Sequence, residues 1–333
     1  MTIRVGINGM GRIGREYLRY ATASDDIEIV AVNDIADLAQ LVPLIRRDST
    51  FGRFNKEVEA QGNALIVDGR KIAVSTLREP GRIPWAEHGA EIVIESTGKF
   101  RTRSQAGAHL AAGANRVLIS APGKEVDATI VLGVNDEIYD PSSHYVISNA
   151  SCTTNCVAPM VKVLHESFGI VQGFMTTVHA VTNDQNVLDA PHKDPRRART
   201  AATNIIPTST GAARAVGQVL PELDGRLDGV ALRVPVVDGS LVDLGVVVET
   251  DATVDDVNTA FASSAASGPL AGKLRYTTEP MVSTDVIGDG ASCIFDAGLT
   301  QASARFVKVF GWYDNEWGYT CRLADLTRLV AGT

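Results

Sequence analysis

Apolar positions in the first 150 residues come in short runs separated by stretches with helical spacing. This pattern predicts a buried strand over Ile3–Ile7, a helix over Arg12–Tyr20, a second strand over Glu28–Val32 and a second helix over Leu38–Arg46. Further short apolar runs stand at Ile92–Glu95, Arg116–Ser120 and Thr129–Val134, and Ser104–Ala112 supplies a helix between two of them. Strands alternating with helices imply parallel pairing through crossover connections, a doubly wound α/β sheet. Between residues 54 and 80 the pattern becomes hairpin-like, with turn signals at Gly62-Asn63 and Asp68-Gly69, and predicts an antiparallel excursion on the sheet edge.

From Ser151 the grammar changes. Cys152–Phe168 reads as a helix, and longer alternating strands follow at Gly173–His179, Val230–Pro235, Ser240–Glu249 and Phe306–Gly311. Strands of that kind flanked by helices fit an α+β domain with a mixed or antiparallel sheet. The expected division is residues 1–150, residues 151–316 and a C-terminal piece, 317–333. The helical segment of that piece, Tyr319–Val330, could pack back on the first domain. A length of 333 residues, more than one core usually holds, agrees with two domains.

Composition narrows the setting. The first residues lead straight into a strand pattern, with no leader-like segment, and no apolar run approaches the roughly 20 residues that cross a bilayer. A net charge of −8 argues against a general footprint for nucleic acid. Four cysteines are too few and too irregular for a disulfide framework. The expectation is a cytoplasmic protein with reduced thiols, no nucleic-acid or membrane partner and no metal site.

The first strand is followed at once by Gly9-Met10-Gly11-Arg12-Ile13-Gly14, a G-x-G-x-x-G between strand and helix. One glycine permits the tight turn, one admits a pyrophosphate to the backbone, and one lets helix and strand pack closely. The helix N-terminus then offers N–H groups and a positive dipole end. Asp34, twenty residues beyond Gly14 and after the second strand, can accept both ribose hydroxyls of NAD and would repel the 2′-phosphate of NADP. Glycine triplets also occur as simple tight turns. The strand–turn–helix context and the acid at this offset favour a Rossmann-type dinucleotide site. The small residues of Glu95–Phe100 could border the same cofactor.

Cys152 sits where a strand ends and a helix begins, within Ser148-Asn149-Ala150-Ser151-Cys152-Thr153-Thr154-Asn155-Cys156. A helix N-terminus favours thiolate and supplies backbone donors for an oxyanion. Cys156, Cys293 and Cys321 read as buried structural residues, the commoner fate of cysteine. A histidine should serve as base, and six are available: His88, His109, His144, His165, His179 and His192. His179, at a strand end before a polar loop, stands in a favoured position, but spacing leaves the choice open.

Ala150–Cys156, Thr182-Asn183-Asp184-Gln185, Pro207–Ala213, Leu232-Arg233-Val234-Pro235 and Trp312–Tyr319, in this order, resemble glyceraldehyde-3-phosphate dehydrogenases over essentially the whole chain. The resemblance implies a homotetramer that oxidises D-glyceraldehyde 3-phosphate with NAD and inorganic phosphate to 1,3-bisphosphoglycerate. Cys152 would be the nucleophile and His179 its ion-pair partner and base. Thr182 and Arg233 would hold the substrate phosphate, and Ser151, Thr153, Arg197, Thr210 and Gly211 the attacking phosphate. Asn315 would hold the nicotinamide carboxamide, with Tyr319 against the ring. Arg12 and Ile13 would lie at the pyrophosphate, Arg78 and Ser120 on the adenosine side, and Thr97 beside them. The 180–200 loop would lie against a neighbour's cofactor.

The chain also departs from that family. Met10 stands for Phe, Val181 for an aromatic residue and Pro195 for Leu, and Val236-Val237-Asp238-Gly239 replaces a Thr-Pro-Asn-Val-like run. None of these removes a group from the proposed chemistry, and the last three flank the phosphate pockets. The alternatives are an erythrose-4-phosphate dehydrogenase on the same frame, a paralogue tolerant of electrophilic inhibitors, and an NAD-binding protein without catalysis. Retained Thr182 favours the three-carbon substrate. The retained cysteine and histidine oppose the noncatalytic reading.

Overall fold

The computed structural model of the protein describes residues 2–332. They group into two compact units. The first runs from the start of the described chain through Ile130, takes up Glu137–Ala150 and ends with the segment from Thr320 onward. The second comprises Val131–Asp136 and Ser151–Tyr319.

In the first unit the strands Ile3–Asn8 and Ile27–Asn33 are parallel neighbours connected by the helix Arg12–Thr22. On one side the sheet continues through Ile92–Glu95, Arg116–Ile119, Val146–Ser148 and Ala128–Thr129, all parallel. On the other side Arg70–Ser75 joins in parallel, and Ala64–Val67 and Val58–Gln61 follow antiparallel. The described residues thus form a nine-stranded, doubly wound sheet. Its central strands are fully covered, with Val5, Ile7, Val93, Ile94, Val117 and Leu118 at zero exposure. Such strands read as continuous apolar runs because neither face meets water. The expected edge excursion is present. Asp68 and Gly69 both take positive φ (51° and 77°), the turn whose twist matches a two-residue hairpin.

Two local expectations are corrected. Of the run Thr129–Val134 only Thr129 is strand, as the second residue of Ala128–Thr129. Val131–Asp136 belongs to the second unit, where Asn135 and Asp136 side chains accept the Val131 and Gly133 N–H groups in a turn. The helix expected over Ser104–Ala112 is two pieces, Arg103–Ala106 and Ala108–Ala111, divided at Gly107. Late in the chain, the helix Trp317–Ala331 counts with the first unit from Thr320 on. There the Tyr17 hydroxyl lies 2.7 Å from Thr327 Oγ1, and Arg328 Nε donates to Asp26 at 2.6 Å.

The second unit is built on a mixed sheet in the order Ile206–Ser209, Leu227–Arg233, Ile170–His179, Ser240–Val248, Phe306–Tyr313, Cys293–Asp296 and Leu274–Thr277. Leu227–Arg233 runs parallel to Ile170–His179, whereas Ser240–Val248 pairs antiparallel with Ile170–His179 and with Phe306–Tyr313. Ser240–Val248 alternates between buried and half-buried residues along its whole length, and the helix Cys152–Phe168 packs on the sheet there. Helices Ala212–Val219 and Val254–Ala266 pack in turn on Cys152–Phe168. The parallel pairing sets His179 directly beside Arg233 at the strand ends.

Candidate active site

The cofactor side lies in the first unit, where Ile3–Asn8 ends. Gly9 has a φ of 99°, and a Cβ on it would stand 2.8 Å from the Thr97 backbone nitrogen. A Cβ on Gly14 would stand 2.0 Å from the Gly9 carbonyl oxygen, so only glycine lets the helix approach the strand. A Cβ on Gly11 would meet nothing within 4 Å, and Gly11 begins the helix with no side-chain cap. That end of the helix is therefore open to an anion. The Asp34 carboxylate accepts the N–H groups of Met10 (2.6 Å) and Ala36 (2.8 Å), which fixes it beside the glycine turn.

Gly9, Gly11, Asp34, Arg78 and Thr97 line one cavity of about 300 Å³ together with Asn8, Asn33, Leu77 and Phe100. Thr97 is held by Glu95, whose carboxylate accepts its N–H at 2.9 Å. Arg12 turns its guanidinium to Asp48, so that side chain does not point to the cavity. Ile13 is half-buried in the first helical turn, and Ser120 extends the sheet through its N–H to Glu95 O (3.0 Å); neither lines the cavity. Asn8 and Asn33 were not foreseen. They end adjacent parallel strands in register and are joined by a 2.8 Å bond from Asn33 Nδ2 to Asn8 Oδ1. An asparagine closing each of two apolar runs was the available signal. The open helix end, the turn that admits only glycine and the carboxylate at ribose distance along the chain fit NAD.

The second unit holds the reactive side chains. Ala150 takes a positive φ of 54° just before the helix Cys152–Phe168. Ser151 caps that helix, its Oγ accepting the Thr154 N–H at 3.0 Å, so Cys152 is the first helical residue. Cys152 Sγ lies 3.5 Å from His179 Nε2. On the far side of the ring, His179 Nδ1 is 2.8 Å from Ala180 O and 2.7 Å from Arg233 Nη1. The Tyr313 ring meets His179 edge-on at 6.0 Å, and its hydroxyl is shared by Thr153 Oγ1 (2.8 Å) and Thr177 Oγ1 (2.9 Å).

Burial pushes the Cys152 thiol up, while Arg233 pulls it down. Burial and then the Arg233 charge push the His179 imidazole down to about 3. Burial thus opposes charge on both groups, while the Arg233 charge favours the thiolate. Lowering the thiol falls to Arg233 and the helix N-terminus.

Of the anion-binding candidates, Thr182 and Arg197 are drawn together by Asp184, which accepts from the Thr182 hydroxyl and from Arg197 Nη1. Burial opposes ionisation of Asp184, but the Thr182 hydroxyl and the nearby Arg197 and Arg233 charges hold its carboxyl below the usual range. Thr210 and Gly211 open the helix Ala212–Val219, where Gly211 has no side-chain cap and no neighbour within 4 Å of a built Cβ. Asn315 is nearly buried and bonded to Ser240; Tyr319 is buried in the helix Trp317–Ala331. Arg233 against His179, and Asp184 between two candidates, were invisible in the sequence because both contacts come from tertiary folding. No group of histidine, cysteine or carboxylate side chains among the described residues is arranged to hold a metal, and no described helix is long and apolar enough to cross a membrane.

A glycine turn with an acid suited to an unphosphorylated ribose, in a chain that also presents a thiol beside an imidazole, defines an NAD-dependent oxidoreductase. Comparison with known proteins gives the family. Residues 3–103 match the family described as the glyceraldehyde 3-phosphate dehydrogenase NAD binding domain, and residues 151–315 match its C-terminal domain. The chain is 58% identical to the glyceraldehyde-3-phosphate dehydrogenase of Streptomyces coelicolor over 332 residues, 99% of both chains. It is 54% identical to that of Geobacillus stearothermophilus, again over 332 residues and 99% of both, and 54% identical to that of Mycobacterium bovis over 337 residues and 99% of both. The chain belongs to the glyceraldehyde-3-phosphate dehydrogenase family, and its cofactor is NAD.

Proposed function

We propose that this protein oxidises D-glyceraldehyde 3-phosphate to 1,3-bisphosphoglycerate through a thioester on Cys152. The observation that carries the reading is the Cys152 sulfur, at a helix N-terminus, 3.5 Å from His179 Nε2. The Cys152 thiol passes its proton to His179 Nε2 as the sulfur adds to the aldehyde carbon. Backbone N–H groups at the start of the helix Cys152–Phe168 stabilise the oxyanion, which takes that proton back as the hemithioacetal hydroxyl. His179 Nε2 then takes the hydroxyl proton of the hemithioacetal. NAD, when bound, supplies the hydride acceptor. Inorganic phosphate attacks the resulting thioester carbonyl, and the Cys152 sulfur leaves as thiolate.

Thr182 and Arg233 hold the substrate phosphate. Ser151, Thr153, Arg197, Thr210 and Gly211 receive the attacking phosphate, supported by the open space beside Gly211 at the helix start. The Thr153 hydroxyl lies 2.8 Å from that of Tyr313, and its backbone N–H stands in the first turn of the helix Cys152–Phe168. Gly9, Gly11, Arg12, Ile13 and Gly14 serve the pyrophosphate, Asp34 the ribose, and Arg78, Thr97 and Ser120 the adenosine. Asn315 and Tyr319 serve the nicotinamide.

The four cysteines form no disulfide, in keeping with a cytoplasmic enzyme. Self-association to a homotetramer is supported by large apolar side chains left open: Phe174 at 73% exposure, and Val187 and Leu188 of the 180–200 loop at 74% and 73%. Sedimentation of the protein and of Phe174→Asp tests this; a wild-type monomer overturns it.

The activity is tested by NADH formation from aldehyde, NAD and phosphate, omitting each in turn, with erythrose 4-phosphate as the rival aldehyde. Cys152→Ser should abolish turnover and leave NAD affinity nearly unchanged. Substantial turnover of that variant, or higher kcat/KM for the four-carbon sugar, would reject the reading. One observation favours a further reading as an inhibitor-tolerant copy. Two substituted positions, Val181 and Val236, are joined by a 3.0 Å backbone bond on the segments that leave His179 and Arg233. Changed walls there leave the reacting groups untouched. An epoxide lactone should inactivate this enzyme more slowly than a relative carrying the common residues, and equal rates exclude the idea.

A further inference from the structure

Ser240 begins the strand Ser240–Val248 and is completely buried. Its Oγ accepts the N–H of Ala180, the residue after His179, at 3.1 Å, and lies 2.6 Å from the Asn315 side-chain oxygen. The orientation of a buried amide is decided by the donors and acceptors around it. Here the hydroxyl has already used a lone pair on Ala180 and has one proton to give. Among the described residues Asn315 is its only other polar contact. Were Nδ2 turned toward Ser240, the hydroxyl proton would be left without an acceptor in a site that water does not reach. The 2.6 Å separation is also an O–H···O length, shorter than the usual N–H···O. Asn315 makes no other side-chain hydrogen bond among the described residues, so its Nδ2 hydrogens remain for a ligand. The segment before Ser240 is held in place. Gly239 has a φ of 82°, and a Cβ on it would stand 2.1 Å from the Ser283 carbonyl oxygen.

We propose that Ser240 is a positioning residue that locks the Asn315 amide with its donor outward, so that the nicotinamide carboxamide is recognised through its carbonyl oxygen. The same hydroxyl ties this lock to the strand end that carries His179. The proposal rests on the reading of Asn315 as the nicotinamide contact.

The test compares dissociation constants for NAD and two analogues in wild type, Ser240→Ala and Asn315→Asp. The thionicotinamide analogue replaces the carbonyl oxygen with a poor acceptor. The 3-acetylpyridine analogue keeps a carbonyl and lacks the amide NH₂. Wild type should prefer NAD to the thio analogue and accept the acetyl analogue. In Ser240→Ala the Asn315 amide is free to turn. NAD should bind about tenfold more weakly, the worth of roughly one hydrogen bond. Its advantage over the thio analogue should shrink while its advantage over the acetyl analogue grows. A merely loosened fold would weaken all three alike. Asn315→Asp still accepts from Ser240 but offers no donor, and it should lose the preference for oxygen over sulfur. If Asn315→Asp loses that preference and Ser240→Ala keeps it, the lock is wrong and the Asn315 contact stands. If Asn315→Asp keeps it, the Asn315 contact itself fails. Should Ser240→Ala not fold, Ser240→Cys, with its weak donor, should give the same crossover at smaller size; an unchanged pattern there overturns the lock.

Discussion

Gly11 and Gly14 stand three residues apart in one motif, yet the space around them is opposite. A methyl on Gly11 meets nothing in the protein, whereas one on Gly14 runs into the Gly9 carbonyl at 2.0 Å. Gly11→Ala should therefore leave thermal stability almost unchanged and weaken NAD binding, because the methyl occupies the path of the pyrophosphate. Gly14→Ala should cost about 1–3 kcal/mol of stability, the usual range for overpacking. Calorimetric melting and NAD titration of both variants check this, and equal losses of stability would refute the distinction. His179 makes a second prediction at this scale. Its folded-state value is pushed down to about 3 from the ordinary 6.5, so the unfolded chain binds the proton more readily. Its contribution to stability is complete above about pH 6.5 and is lost progressively as pH falls toward 3. Between pH 7 and 5 the urea midpoint of wild type should fall more steeply than that of His179→Asn. Parallel slopes would mean the imidazole is not held neutral.

The helix Val254–Ala266 opens with a capping box, in which Thr253 Oγ1 accepts the Asp256 N–H at 3.1 Å and Asp256 Oδ2 accepts the Thr253 N–H at 3.0 Å. Thr253→Ala should cost about 1 kcal/mol, read as a lower urea midpoint with unchanged activity. Thr253 and Asp256 at this spacing were a legible signal for a helix that the periodicity reading passed over. What was legible follows from length and covering. Ile3–Asn8, Ile27–Asn33 and Cys152–Phe168 announce themselves because their buried faces demand sustained apolar patterns. Val146–Ser148, Ile206–Ser209, Leu274–Thr277 and Cys293–Asp296 have three or four residues each, too few to display a period. Their place is set by neighbouring strands. At the site, the glycine turn could be read from local chemistry alone. The contact of Arg233 with His179 depends on a register between two parallel strands and so had no local signature.

At the scale of the whole molecule, the first unit owns both the beginning of the described chain and everything from Thr320 on. Leu323 and Leu326 are completely buried, and Thr327 and Arg328 bond to Tyr17 and Asp26. A chain ending at Tyr319 should lose NAD binding and show faster amide hydrogen exchange in Ile3–Asn8 and Ile92–Glu95. Unchanged exchange in those strands would show that the closing helix is dispensable. The second unit, by contrast, ends at Tyr319. That asymmetry matters on the ribosome. At about 5–20 residues per second, the stretch from Tyr17 to Leu323 takes roughly 15–60 s to make. For that interval the surface awaiting Leu323, Leu326 and Thr327 stays open to water or to a holding chaperone. The first strands of the cofactor unit are thus made before the second unit, and its closing helix after it.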